Sequence, residues 1–167
     1  MAMKDALLPE FDHEMAQLRV TLSRCEKAHF AFRPHERSWC MGQLARHLAN
    51  VPMWAQMTMT TDELDFATFP APKYEEPANT EAILAEFDGN VKAARAELEK
   101  ANDADFVKTW TGRTGDKIHF AMPKVAILRT FVMNHMIHHR GQLTIYLRLT
   151  GAKVPALYGP SADEGEM

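Results

Sequence analysis

The chain has little that would tie it to the cell exterior, to a membrane or to nucleic acid. Its only cysteines are Cys25 and Cys40, too few for a disulfide framework and suited to a reducing compartment. No apolar stretch approaches the length of a membrane span. The opening residues, Met1 to Glu10, carry charges where a secretory leader would carry an apolar segment. A cytoplasmic protein is expected. Lys and Arg form no basic run and the formal net charge is −3, so the electrostatic footprint of a nucleic-acid partner is missing. There is no internal repeat and no low-complexity tract. What remains is 167 residues, 46% hydrophobic and 25% charged. That suits one globular domain, 1–167, able to bury a core without staples.

The chemistry concentrates near the end of the chain. No proline interrupts Lys124 to Thr150, and the run reads as one helix with Pro123 in its first turn and Gly151 as its C-cap. At about 100° per residue, Leu128, Phe131, Val132, His139, Gln142 and Tyr146 fall within about 60° of His135. His135 and His139, four apart, share one face and can aim their rings at one point, as a divalent metal requires of two imidazoles. Uncharged imidazoles in a core need partners, and a metal ion satisfies both. His138 lies at the stripe's edge and is the weaker candidate.

Two imidazoles alone would hold a metal loosely, so a third ligand is required. Ser38 is an N-cap for a helix from Trp39 to about Thr60, although Met41 at the third position excludes a capping box. Within it Cys40, Leu44, His47, Val51 and Trp54 form one apolar stripe. Packed stripe to stripe, the two helices would bring His47 to the pair. Three neutral nitrogens leave open coordination positions, the pattern of a catalytic zinc site. Hydrogen-bonded core histidines are the competing account of the same spacing, because no Glu follows the first His of the pair.

Two further helices complete the pattern. The first runs from Asp5 or Pro9 to Ala28 with Phe11, Met15, Leu18 and Leu22 as its core stripe. Another opens after an N-cap at Thr80 and runs to Ala101, its Lys92, Arg95 and Glu97 to Lys100 forming a solvated face. Pro52 should bend the Trp39 helix. Asp62 to Asn79, with Pro70, Pro72 and Pro77, reads as a long crossover loop. Phe106 to Trp110 and Lys117 to Phe120, separated by Gly112 to Asp116, read as a short β-hairpin with His119 exposed on its second strand. On the back of the last helix Ala126, Thr130, Met133, Ile137 and Thr144 carry no charge. Either the tail or a second copy covers them, and a homodimer is the preferred account.

Four segments carry a resemblance: Pro34-His35-Glu36-Arg37-Ser38-Trp39; Gly42 to Ala49; Asn134 to Leu143 with Tyr146-Leu147-Arg148; and the tail Val154 to Glu164. In order and separation they resemble the DinB family of DinB/YfiT-like metalloenzymes, which shares only a name with the translesion polymerase. The resemblance implies an all-α fold, a four-helix bundle of up-down-down-up topology with a long crossover loop, the hairpin being an insert before the last helix. It implies one divalent metal ion, zinc or nickel, on His47, His135 and His139, and often a dimer.

Several relatives are thiol transferases or thiol-dependent isomerases. Thiol (S-)transferase chemistry on a small-molecule substrate, with a low-molecular-weight thiol as partner, is therefore the leading expectation. Metal-dependent hydrolysis is the alternative. A non-catalytic metal-binding helical dimer is the competing class, favoured by the lack of Asp or Glu on either histidine stripe. Gln142 is expected to orient a ligand or water, Tyr146 to hydrogen-bond into the pocket, and Cys40 and Trp54 to line its wall. No residue is assigned as the general base.

Overall fold

A computed structural model describes residues 1–69 and 74–166. It is mostly helical with a small three-stranded sheet. Pro70 and Pro72 lie outside the described residues. The long helices are α1 (Met3–Leu22), α2 (Met41–Thr60), α3 (Thr80–Lys100) and α6 (His135–Leu149). α2 packs on α3 and α6, and α1 packs on the same two. One contiguous core runs between all four, with Leu18, Leu22, Leu48, Ile83, Met136 and Leu143 fully buried. The expected α1 stripe of Phe11, Met15, Leu18 and Leu22 is buried in it.

The helix boundaries move, each for a local reason. α1 ends at Leu22, well before Ala28, followed by a turn and one 3₁₀ turn at Lys27–His29. Ser23 Oγ donates to the Val20 carbonyl there, a side-chain bond that competes with helix continuation. α2 starts at Met41, and its N-cap is Cys40 in place of Ser38. The N–H groups of Met41 and Gly42 donate to the Phe32 and Phe30 carbonyls, while Gln43 Oε1 accepts from the Cys40 N–H. These bonds occupy groups that an N-terminus would otherwise leave unpaired. α3 is capped by Asn79, whose side chain accepts from Ala82 N at 2.8 Å; the Thr80 hydroxyl is engaged with the Cys25 carbonyl. Pro52 lies inside α2 without ending it.

The hairpin is displaced from its expected limits. Asn102 caps a short helix α4 (Asp103–Val107), so Phe106 is a buried helical residue and the first hairpin strand starts later. That strand, β2 (Thr109–Thr114), pairs antiparallel with β3 (Lys117–Pro123), and Gly115 turns between them with φ of +55°. Pro123 closes β3 and precedes the helix. At Gly112 a Cβ would fall 2.4 Å from the Phe120 ring, so only glycine lets that ring lie across the strand. An unanticipated strand, β1 (Glu63–Asp65), adds parallel to β2. It carries no alternation; Arg113 reaches it from β2, pairing with Glu63 at 2.6 Å and Asp65 at 2.7 Å. Trp110 Nε1 donates to Thr61 Oγ1, and the Lys124 ammonium donates to the Thr61 carbonyl at 2.6 Å, which ties the sheet to the C-terminal end of α2.

The expected single helix from Lys124 is three pieces. An α turn, α5 (Lys124–Ile127), leads into a π-helical stretch, Leu128–Asn134, and α6 begins at His135. Gly151, φ +78°, ends α6: its N–H donates to Arg148 and that of Ala152 to Leu147, the paired bonds of a Schellman motif. The tail then returns over α1, where Gln17 donates to the Leu157 carbonyl and Arg24 pairs with Glu164 at 2.7 Å. Part of the uncharged back of the last helix is covered within the chain: Met133 is buried and Ile137 packs on the core.

A candidate metal centre

Three imidazoles meet between α2 and α6. His47 comes from the middle of α2, and His135 and His139 from the first and second turns of α6. His47 Nε2 and His135 Nε2 are 2.8 Å apart. Ring centroids lie 5.0 Å (His47 to His135), 4.8 Å (His47 to His139) and 4.6 Å (His135 to His139) apart. One nitrogen of each lies within 4.8 Å of the others, and among the described residues no Cys, Asp or Glu completes the group. For comparison, two nitrogens bound to one tetrahedral zinc lie about 3.3 Å apart, given Zn–N distances near 2.0–2.1 Å. Two Nε2 atoms facing each other at such a distance share either one hydrogen, donated by one neutral ring to the lone pair of the other, or one cation bound by both.

The donors are in the right protonation state for a cation. Burial pushes the His47 pKa down to about 4, with His139 and His135 adding to the effect. Burial likewise lowers His135 and His139. All three rings are therefore neutral near pH 7 with lone pairs available. The tautomer of His139 follows from its neighbour. Gln142 Oε1 accepts from His139 Nδ1 at 2.7 Å, while the Gln142 amide nitrogen donates to His138 Nε2 at 3.1 Å. The proton thus sits on Nδ1 of His139, leaving Nε2 bare. Such a partner on the far nitrogen is what fixes the orientation of a metal-binding imidazole. His138 itself is exposed and outside the cluster.

The surroundings differ on the two sides of the triad. Toward the sheet, His47 and His135 border a cavity of about 170 Å³ walled by Val51, Trp54, Phe66, Trp110, Phe120, Ile127 and Phe131. Toward the start of α2, His139 borders an open cleft of about 410 Å³ with Pro34, Ser38, Trp39, Leu44, Gln142, Ile145 and Tyr146. Trp39 stacks on His139 at 5.9 Å and sets its edge against His47 at 5.1 Å. The Tyr146 hydroxyl donates to the Trp39 carbonyl at 2.9 Å, so Tyr146 positions that segment. Cys40 is buried away from both spaces, its Sγ 3.9 Å from the Tyr74 hydroxyl. Exposed His119 contacts Thr114 and takes no part in the cluster.

Sequence reasoning missed Trp39 as part of the site and the sheet aromatics as a wall. The π-helical stretch also escaped it. That stretch ends where His135 begins and carries Phe131 beside the cavity, a placement typical of π segments at functional sites.

A mostly helical chain thus brings three neutral histidines together between its second and last long helices, in an arrangement that could hold a metal ion. The DinB family model matches residues 1–166, and the chain belongs to that family. It is 32% identical over 133 residues to the uncharacterized protein YrdA of Bacillus subtilis strain 168, covering 77% of this chain and 71% of the relative. A solved DinB-like protein from Bacillus cereus ATCC 10987 superposes with a TM-score of 0.71 at 21% identity, covering 94% of this chain and 98% of that one. The DinB-like protein YjoA of B. subtilis gives 0.70 at 17% identity, covering 92% and 97%. At those identities the two structures establish the fold. Among the described residues, no helix is long and apolar enough to cross a membrane.

Proposed function

We propose that this protein is a metal-dependent enzyme that transfers a low-molecular-weight thiol to a small-molecule electrophile. His47, His135 and His139 would hold one divalent ion, zinc or nickel. The observation that carries the reading is three neutral imidazoles converging at the junction of two spaces able to admit reactants. The bound ion would supply a positive charge that lowers the pKa of a thiol or water brought against it. In the transfer the thiol proton leaves to solvent, sulfur bonds to the electrophilic carbon, and the leaving group departs with its electron pair. Gln142 keeps the His139 proton on Nδ1, and Trp39 covers the outer faces of two rings.

Thiol transfer is favoured over hydrolysis by the absence of any carboxylate in the cluster among the described residues. A thiol needs no dedicated base once its pKa is near ambient pH, whereas amide or ester hydrolysis requires proton transfer to the leaving group. The same absence supports the second reading, a non-catalytic metal-binding dimer. We further propose a single up-down-down-up bundle domain acting as a cytoplasmic homodimer, with no nucleic-acid partner.

The test is metal analysis of protein purified without an affinity tag, followed by a thiol-transfer screen before and after chelation. Metal at one ion per chain and activity that vanishes on chelation and returns with zinc or nickel are the expected results. Metal-replete protein inert toward thiols and toward ester and amide panels would favour the non-catalytic dimer. Turnover that resists chelation would reject metal catalysis.

A further inference from the structure

The aromatic cavity behind His47 and His135 is more than a packing gap. Its wall is built from separate parts of the chain: Val51 and Trp54 from α2, Phe66 from the turn after β1, Phe120 from β3 and Phe131 from the π-helical stretch. Phe120 and Phe131 stack at 4.7 Å, and Gly112 is what lets the Phe120 ring approach. The Trp110 indole N–H, which could have made the wall polar, is used by Thr61 instead. Among the described residues, the other polar groups on the lining are the two histidines and the Trp54 indole N–H. At about 170 Å³ the space compares with an engineered apolar cavity of about 150 Å³ that stays dry and takes up benzene. The cleft on the other side of the triad is larger, more open, and is lined by Ser38, Gln142 and His139 among others.

We propose that the aromatic cavity is the binding site for the apolar part of the substrate, an uncharged group the size of one benzene ring or a branched alkyl of equal bulk. The proposal rests on reading the triad as the reaction centre, and it divides the two reactants by polarity. A thiol carrying ionised or strongly hydrated groups would lose its hydration in the cavity without recovering hydrogen bonds, so it approaches through the open cleft. The electrophile enters with its ring against Trp54, Phe120 and Phe131, which fixes its reactive carbon toward His47 and His135. Substrate choice is then set by the cavity's volume and not by the histidines.

Fluorine NMR with fluorobenzene tests this on both the chelated and the metal-loaded full chain. Saturable binding of one fluorobenzene per chain is expected in both forms, with no binding of fluoroacetate. Phe131→Ala enlarges the space and should shift preference at least tenfold toward 1-fluoronaphthalene. Val51→Phe fills it and should weaken fluorobenzene tenfold or more. Either variant, whichever folds as judged by circular dichroism, suffices to locate the site; unchanged affinity in it would overturn the proposal. So would absence of saturable fluorobenzene binding to the unaltered protein. His139→Ala separates the two readings, because His139 does not border the cavity. Loss of metal with fluorobenzene retained supports both. Metal retained with fluorobenzene bound defeats the triad assignment alone. Metal bound by the unaltered protein without fluorobenzene binding defeats the cavity alone.

Discussion

His139 and Arg140 are adjacent on α6 and meet different helices, and each belongs to a partly or fully buried polar cluster. On the α1 side Arg140 is 1% exposed and fully engaged. It donates to the Glu14 carboxylate at 2.7 Å and to the Glu14 carbonyl at 3.1 Å, and the Tyr158 hydroxyl donates to the same carboxylate. Charge and hydrogen bonds close on themselves, and nothing further is required of that site. On the α2 side three neutral rings face one another, and the Nε2 pair of His47 and His135 is held by a single shared contact with no charged group beside it in the cluster. A polar cluster of opposite charges holds helices together; one of neutral nitrogen donors aimed at a common point could hold a cation. The tail belongs to the first cluster through Tyr158, and Trp39 to the second.

The largest effect expected from breaking this contrast is on stability. Arg140→Ala leaves Glu14 buried without its partner and should cost about 3–5 kcal/mol. Urea unfolding at pH 7 measures it, and a loss below about 1 kcal/mol would mean that the pair is solvated. Metal content per folded chain should not change. His135→Ala should do the reverse. Its stability without metal should shift by about 1 kcal/mol or less, since Ala suits a helix and no charge is stranded, but the ion should be lost. Unchanged metal stoichiometry in that variant would remove His135 from the ligand set.

How these two clusters showed in the sequence differs as well. His47, His135 and His139 were legible because each sits in an apolar stripe of helical period, which survives small errors in helix limits. Arg140 was not, because its partners Glu14 and Tyr158 lie far away in sequence and no local pattern links them. Trp39 was assigned to the first turn of α2; the actual start at Met41 leaves it free to turn back over the rings. The π-helical stretch has no composition of its own, and its wide turns accompany Phe131 packing on Phe120 from the sheet. Strand β1 is three residues held by Arg113 from another strand, so periodicity had nothing to read. Helix content and the histidine-bearing stripes are local properties; walls, caps and counter-charges are tertiary.

A smaller effect separates orientation from ligation. Gln142 touches His139 on the nitrogen opposite the cluster. Gln142→Ala should keep the ion but weaken its binding about 10–100-fold, the usual consequence of removing such a partner. Gln142→Glu, which still accepts from Nδ1–H, should restore most of the loss. Competition with a chelator of known affinity measures both. Equal affinity in all three proteins would show that the His139 tautomer is not set by this contact.

The last expected effect is the pH dependence of the metal-free protein, and its sign follows from the depressed histidines. The folded His47 has a pKa of about 4 against an ordinary 6.5, lowered chiefly by burial, and His135 and His139 shift the same way. Between those limits the unfolded chain binds more protons than the folded one, so stability rises with pH and levels off above about 6.5. The depressed carboxylates, such as Asp65 held by backbone N–H groups and Asp163 held by Arg148, also make stability rise with pH, but their window lies below 3.8. The two contributions therefore separate on the pH axis. Urea midpoints of chelated protein at steps from pH 4.5 to 7.5 should climb and then flatten, and His47→Gln should reduce the climb. Saturating zinc should steepen it, since protons and the ion compete for the same nitrogens. An identical slope in the parent and His47→Gln proteins would show that His47 is not held neutral by the fold. The case for three lone pairs ready for a cation would then lose its electrostatic support.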